Sequence, residues 1–185
     1  MWIWIVIGVI VVLVAIWAVV TYNGFVKLKN IVEESWRQID VELHRRYDLI
    51  PNLVETVKGY AAHERQTFEN VTAARAAAVT PGSGPAEQAA QENMLTAALR
   101  QLLAVAEAYP DLKANENFLD LQGQLTQTED RIAAGRRFYN ANVRAFNTKV
   151  ETFPPNLVAR TFNFTKKEYF EAEDPTVRAA PEVRF

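Results

Sequence analysis

Residues 2–22 read WIWIVIGVIVVLVAIWAVVTY and decide the architecture, because no charged residue occurs among them. As a helix with a rise of about 1.5 Å per residue, this segment is roughly 31 Å long, close to the ~30 Å hydrocarbon core of a bilayer. Tryptophan or tyrosine residues lie near both of its ends, where the headgroup region favours amphipathic rings. The segment predicts a single transmembrane helix within residues 1–26.

Two other interpretations of this segment fit it less well. A cleaved signal peptide begins with basic residues and has a shorter apolar core, but no Lys or Arg precedes this run. A buried core helix of a soluble protein rarely stays apolar on every face over such a length.

The flanking cations indicate the orientation of this helix. Only the α-amino group lies on its N-terminal side, whereas five cations follow on the other side, at Lys27, Lys29, Arg37, Arg45 and Arg46. Because cations near a transmembrane helix stay in the cytosol, we expect Met1 outside and the rest of the chain in the cytosol.

Composition excludes several kinds of chemistry. The 185 residues include 20 Lys or Arg and 22 Asp or Glu, for a net charge of -2, and no cysteine. Disulfides, thiolate metal sites and cysteine nucleophiles are therefore excluded, and the acidic balance argues against nucleic acid as a partner. The two histidines, His44 and His63, would lie roughly 28 Å apart on one helix, too far to share a metal ion. We predict no catalytic residue, no cofactor and no metal site.

Apolar periodicity predicts three long helices after the membrane segment. Apolar residues from Phe25 to Ala61 form a stripe with a period of ~3.6 residues, which is the period of a straight α-helix. This stripe predicts a first helix over residues 27–79. Pro51 lies inside it and should kink the helix, freeing the Tyr47 carbonyl for another partner. A second helix is predicted over residues 86–109, and a third, whose ~3.5-residue period is typical of coiled-coil packing, over residues 116–153.

These patterns predict an all-α fold. The single-pass transmembrane helix is followed, over residues 27–160, by an antiparallel up-and-down helical bundle of three long helices and a short element after Pro155. Residues 161–185 form a tail, either packed on the bundle or extended.

Three polar residues share one face of the third predicted helix. Asn140 and Asn147 are seven residues apart, with Arg144 between them. Such residues either set the helix register inside a bundle or form an interaction surface, and the spacing alone leaves both open.

Several separated motifs resemble the LemA family and extend over nearly the whole chain. They are RYDLIPNLV (46–54), VKGY (57–60), HE (63–64), AR (74–75), YNANVRAFN (139–147), FPPNLVA (153–159), YFE (169–171) and PEVRF (181–185). Pro155 and Arg160 depart from the expected pattern, where a small polar residue and a glycine would stand.

The resemblance implies a membrane-anchored bacterial protein with a short extracellular N-terminus, which places it in the inner membrane with its bundle in the cytosol. It implies no catalytic mechanism and no catalytic residue. The motifs and the polar face give these candidates for an interaction or structural role: Asp48, Pro51, Asn52, Tyr139, Asn140, Arg144, Asn147, Pro154 and Asn156.

Three functions remain open from the sequence. The primary one is a membrane-anchored interaction or scaffold module with unknown protein partners; the alternatives are a sensor that relays a signal along the first helix, and an enzyme with an unrecognised site. We also predict a homo-oligomer, because the second helix is too short to cover the stripe residues nearest the membrane, Phe25, Leu28, Val32 and Trp36. In a monomer, the third helix and the aromatic tail would have to shield them.

Overall fold

The computed structural model describes residues 1–80 and 84–171, and within these ranges every regular element is a helix, which confirms the all-α fold. The helices are α1 (Trp2–Lys58), α2 (Arg65–Ala78), α3 (Pro85–Glu107), α4 (Pro110–Lys113), α5 (Glu116–Glu151) and α6 (Pro155–Thr161). The PEVRF motif and the tail beyond residue 171 lie outside the described residues.

The first predicted helix, over residues 27–79, is two helices in the structure. α1 ends at Lys58, and α2 begins at Arg65. Gly59 is a poor helix former. Directly after it, the Tyr60 N–H donates to the Val57 carbonyl at 3.0 Å, a bond between residues three apart, as in a 3₁₀ turn. The break lets Ala61, the last residue of the predicted stripe, be buried in a turn rather than on a straight helix.

The described chain divides into two compact units, and the bounds predicted for the bundle, residues 27–160, stay a prediction. Unit 1 contains residues 1–39 and 135–167, and unit 2 contains residues 40–134 and 168–171. Since α2, α3 and α4 all fall within residues 40–134, unit 1 consists of segments of α1 and α5 together with α6 and the chain after it.

In unit 1, α1 and α5 run antiparallel. Phe25 contacts Phe146, Trp36 contacts Tyr139, and Gly135 lies beside Ile39. Residue numbers therefore increase along α1 in the direction in which they decrease along α5. A Cβ at Gly135 would lie 2.9 Å from Ile39 Cγ1, and glycine therefore allows the two helices to approach closely here.

In unit 2, the same pair of helices is again antiparallel. Arg131 pairs with Glu42 at 3.2 Å, Glu129 pairs with Arg46, and Asn115 donates to the Tyr60 hydroxyl at 3.1 Å. Helices α2, α3 and α4 complete this unit. Phe68, Val71 and Ala78 of α2 are buried, as are Leu95 and Leu102 of α3 at 0% exposure.

Candidate functional site

The motif at residues 46–54 has two faces on α1. Arg46, Tyr47, Ile50 and Leu53 are buried, at 1–4% exposure, whereas the predicted site residues Asp48, Pro51 and Asn52 are exposed. The buried face belongs to the core of unit 2, and the exposed face is available to a partner.

A buried polar cluster forms around Arg46, and we define it as Arg46, Tyr47, Gln88, Glu92, Thr96 and Glu129. Arg46 and Glu92 are each 1% exposed and form an ion pair between α1 and α3. Arg46 Nη1 also donates to Glu129 Oε1 at 2.5 Å and to Thr96 Oγ1 at 3.1 Å. A single arginine thus joins three helices of unit 2.

Tyr47 completes this cluster on the other side of Glu92. Its hydroxyl donates to Glu92 Oε1, and Gln88 Nε2 lies 3.0 Å from that hydroxyl and 2.8 Å from the same carboxylate oxygen. Burial raises the pKa of Tyr47 to about 12, so the hydroxyl stays protonated at neutral pH and remains a donor.

The polar cluster is suited to fixing the packing of unit 2 rather than to catalysis. Its central charges are closed off from solvent, and the hydrogen bonds of Arg46 Nη1 to Glu129 and Thr96 lower the cost of burying the ion pair. The Gln88 amide extends the network to the end of α2, donating to the Ala78 carbonyl at 2.9 Å. One network therefore holds α1, α2, α3 and α5 in register.

The exposed proline of the motif has a defined structural consequence. α1 continues through Pro51, so the proline does not break the helix, and the predicted kink stays a prediction. Pro51 has no N–H to give to the Tyr47 carbonyl, and Arg75 Nε of α2 donates to that oxygen at 2.8 Å instead. The freed carbonyl predicted from the sequence has therefore found a partner, and this bond ties α2 to α1.

This arrangement predicts coupling between Pro51 and Arg75. Arg75→Ala alone should destabilise the protein by about 1–3 kcal/mol, because the Tyr47 carbonyl loses its donor. In a Pro51→Ala background, the new backbone N–H supplies that donor, so the cost of Arg75→Ala should fall by about 1 kcal/mol. Pro51→Ala alone should stabilise the helix. Urea unfolding of the four full-length variants measures the coupling.

The matched control for this cycle is Arg65→Ala, at an exposed arginine on the same helix. Its cost should be small and the same in both backgrounds. Additive costs of Pro51→Ala and Arg75→Ala would contradict the proposed role of the carbonyl.

Asp48 and Asn52 line an open polar groove, which we define by Asp40, Val41, His44, Arg45, Asp48, Leu49, Asn52 and Gln124. His44 Nδ1 lies 2.9 Å from the Asp40 carbonyl and 3.5 Å from its carboxylate, and both side chains are more than half exposed. No Ser, Thr, Tyr or Lys belongs to this lining. Within residues 1–80 and 84–171, no group of three acidic or histidine side chains is placed to hold a metal ion. The side chains that line the polar groove carry positive charge, negative charge and amide groups, and these are the groups it offers to a partner.

The polar face predicted on the third helix is mainly internal. Asn140 and Asn147 are buried, and only Arg144 is exposed. Asn147 Oδ1 accepts from the Lys167 N–H at 2.8 Å, and its Nδ2 donates to the Lys167 carbonyl at 2.9 Å. Asn147 thus holds the chain after α6 against α5, which is a structural role within unit 1.

The remaining candidates also lie in unit 1. Tyr139 is buried against Trp36, with ring centroids 5.3 Å apart. Pro154 immediately precedes α6 and is exposed, and Asn156 is half-buried in its first turn. The nine predicted residues are therefore divided between the two units, and only Asp48 and Asn52 share a surface site.

The end of α6 places an aromatic segment against α1. Asn163 has a φ of 55°, a left-handed conformation that asparagine adopts more readily than most residues. The Phe164 N–H donates to the Ala159 carbonyl at 2.9 Å, as in a Schellman motif. This turn stacks Phe164 on Phe25, with ring centroids 4.9 Å apart.

The polar cluster was not predicted, although the sequence of α3 contains a signal for it. Gln88 and Glu92 precede Leu95 by seven and three residues, and therefore continue the apolar stripe of α3. Polar residues in phase with a buried stripe predict a buried network, provided that a partner such as Arg46 lies on a facing helix.

Comparison with known proteins identifies relatives along most of the chain. The model of the LemA family matches residues 35–185. Magnetosome protein MamQ 1 and MamQ 2 of Paramagnetospirillum magneticum are each 27% identical over 175 residues, covering 81% of this chain and 64% of theirs. Protein LemA of Metamycoplasma hominis is 26% identical over 155 residues, covering 82% of this chain and 69% of its own.

Two features of these matches decide what they establish. The chain spans slightly less than two thirds of the length of the MamQ proteins, so the likeness does not extend to the whole of those relatives. The family match covers well over half of this chain, and it includes the 46–54 motif, the polar cluster and α6. On this evidence, the chain belongs to the LemA family.

Proposed function

We propose that this protein is a membrane-anchored interaction module, held in the bilayer by α1 and recognising a protein partner through the polar groove. The observation that carries the proposal is the change of environment along α1. Its apolar N-terminal part has a mean hydropathy of 3.2 and is buried nowhere, whereas Phe25, Val32 and Ile39 farther along the same helix are fully covered. Such an uncovered apolar segment needs lipid around it.

The proposed orientation leaves Met1 outside and the chain after the apolar segment in the cytosol, at the inner membrane of a bacterial cell. The cations at Lys27 and Lys29 support it, and the structure adds Lys149, whose Nζ lies over the Phe25 ring at 4.7 Å. Burial lowers the pKa of this lysine. Cations from separate parts of the chain thus meet on the C-terminal side of the apolar segment.

The polar groove is the surface proposed for partner recognition. Asp48 and Asn52 belong to the family motif, yet neither side chain contributes to the core of unit 2. With Asp40 and His44 they form a continuous row of exposed polar side chains, at four-residue intervals along α1. We assign no catalytic step to this row.

Self-association stays a prediction, but the surface expected to produce it is covered. Phe25 and Val32 are 0% and 3% exposed, and Leu28 and Trp36 are half-buried. α5 and the segment after α6 pack on this stripe, so the third helix and the tail shield it within one chain. A second copy would have to bind elsewhere, and the polar groove is available for it.

Single-cysteine variants test the proposal, because the chain has no cysteine of its own. In intact cells, a cysteine inserted after Met1 should react with a membrane-impermeant maleimide, and Asp48→Cys should not. A permeant photo-crosslinker at Asp48→Cys should then give a discrete adduct, and the size of the adduct separates a second copy from another protein. Adding Asn52→Arg should abolish this adduct, because it places bulk and charge in the polar groove.

The control is Asn93→Cys, at an exposed position on α3 of the same unit. It should be protected from the impermeant reagent and form no discrete adduct. Labelling of Asp48→Cys by the impermeant reagent in intact cells would contradict the proposed orientation. Equal crosslinking from both positions would remove the polar groove as the docking surface.

One observation favours a second candidate function, a sensor that relays a signal along α1. α1 is one helix from Trp2 to Lys58, so its apolar segment and the 46–54 motif belong to the same helix. A relay needs two arrangements of similar energy that a ligand can shift. A crosslinking pattern at Asp48→Cys that changes with growth conditions, at constant protein level, would favour this function.

A further inference from the structure

Three large apolar side chains on the α6 side of unit 1 are exposed. Phe153, Leu157 and Phe162 are 73%, 51% and 54% exposed, and they lie within ten residues of one another. Of these, only Leu157 lies on α6, whereas Phe153 and Phe162 flank it. Val158 and Ala159 of α6 are buried, so this part of the chain packs one side on the protein and leaves three large apolar side chains largely exposed.

The contacts of α6 fix its level relative to the apolar segment of α1. Phe162 lies against Tyr22, with ring centroids 4.7 Å apart, and Phe164 lies 5.8 Å from the same ring. Thr21, the preceding residue, is only 7% exposed. Since residues 2–22 are the proposed membrane segment, a structure packed on Thr21 and Tyr22 lies at the level of the lipid headgroups.

Exposed cations surround this end of unit 1. Lys27 and Lys29 lie about 8 and 10 Å beyond Tyr22 along the helix axis, and Arg160 projects from α6 itself. Unit 1 contains ten Lys or Arg and three Asp or Glu, a net charge of +7, although the whole chain has a net charge of -2. The remaining residues therefore have a net charge of -9. Since residues 1–26 have no charged side chain, the net charge of +7 belongs to the part of unit 1 outside the membrane segment, and it complements an anionic lipid surface.

We propose that α6 and the residues flanking it form a second membrane contact, which inserts Phe153, Leu157 and Phe162 at the headgroup boundary and binds anionic phospholipid through Arg160 and Lys27. This inference rests on the proposed membrane anchoring. The observations agree on the occupant: Phe162 contacts Tyr22 at the end of the membrane segment, and the exposed cations Lys27 and Arg160 have the charge that lipid phosphates attract. The contact fixes the rotation of unit 1 against the bilayer, which a single helix cannot do alone.

The test uses the full chain in vesicles, with an environment-sensitive dye on single cysteines. The vesicles are phosphatidylcholine with or without about 30% phosphatidylglycerol, and a phosphatidylcholine that carries a nitroxide near the top of its acyl chain is the quencher. The dye on Leu157→Cys should be quenched, and by at least about twofold more when phosphatidylglycerol is present. Arg37→Cys lies about 22 Å beyond Tyr22 and should not be quenched.

A charge substitution separates the electrostatic part of the contact. Arg160→Ser in the Leu157→Cys background should remove the dependence on phosphatidylglycerol. The matched control is Arg137→Ser, at an exposed cation of unit 1 on α5 near the level of Trp36, and it should leave that dependence unchanged. If both variants lost the dependence on phosphatidylglycerol, the net charge of the protein would account for it, and the assigned role of Arg160 would be overturned.

A dye on Val12→Cys, near the middle of the apolar segment, reports on anchoring itself, with a second phosphatidylcholine that carries its nitroxide near the end of the acyl chain as the quencher at this depth. Quenching at Val12→Cys but not at Leu157→Cys would overturn the second contact and leave the anchoring intact. A shielded but unquenched dye at Leu157→Cys would show that a protein covers this face, and it would overturn the contact as well. Absence of quenching at Val12→Cys would overturn the anchoring proposal and this inference together.

Discussion

Removing Arg46 should destabilise the protein by about 3–5 kcal/mol, because it leaves a carboxylate buried without its counter-ion. Arg46→Ala strands Glu92, which is 1% exposed, and deprives Glu129 and Thr96 of their donor. The free energy of unfolding of the full chain in detergent, from the urea midpoint at constant slope, measures the loss.

A paired substitution distinguishes a broken ion pair from a lost side chain. In the Arg46→Met, Glu92→Met double variant no buried charge remains between these two helices, so this variant should be more stable than Arg46→Ala. The gain should be incomplete, since the Tyr47 hydroxyl and the Gln88 amide then lose the Glu92 carboxylate and keep only the Ala78 carbonyl as a shared acceptor.

The control for this prediction is an arginine whose pair is exposed. Arg37 pairs with Glu34 at 3.5 Å, and both side chains are more than half exposed. Arg37→Ala should change the free energy of unfolding by no more than about 0.5 kcal/mol, because solvent screens the pair. Equal losses from Arg37→Ala and Arg46→Ala would show that burial of the charges does not determine the effect.

Much of the fold could be predicted from local pattern. The apolar run at residues 2–22, the 3.6-residue stripe and the positions of the prolines are each visible in the sequence without knowledge of distant contacts. The same holds for the freed Tyr47 carbonyl, since the effect of Pro51 follows from covalent structure alone. Its new donor, Arg75, could not be predicted, because the break after Lys58 that brings α2 back to α1 was not recognised.

The candidate site was less predictable, because it depends on contacts between distant residues. Asn147 fits either a register-setting or a surface role until Lys167, twenty positions farther on, is seen to bond both groups of its amide. Charge is a second example. The net charge of -2 hides a unit of +7, because residues 1–39 and 135–167 are brought together only by folding.

Phe25→Ala should destabilise unit 1 by about 3–5 kcal/mol, the cost of truncating a buried aromatic side chain. Phe25 is 0% exposed and contacts the rings of Phe146 and Phe164, with centroids 6.1 and 4.9 Å away. Its loss removes the surface on which Phe164 stacks, so the chain after α6 should loosen as well. Faster tryptic cleavage at Lys166 and Lys167, together with a lower urea midpoint, measures both effects.

The matched control is Phe138→Ala, which makes the same substitution in the same unit at a side chain that is 54% exposed. It should cost much less and should leave tryptic cleavage at Lys166 unchanged, because no cavity forms at an exposed side chain. Phe25→Ala also tests how the stripe nearest the membrane is used. If Phe25 packs within one chain, its loss lowers stability at every protein concentration. A variant that kept full stability but lost crosslinked oligomers would instead make this stripe a contact between copies, as the sequence alone had suggested.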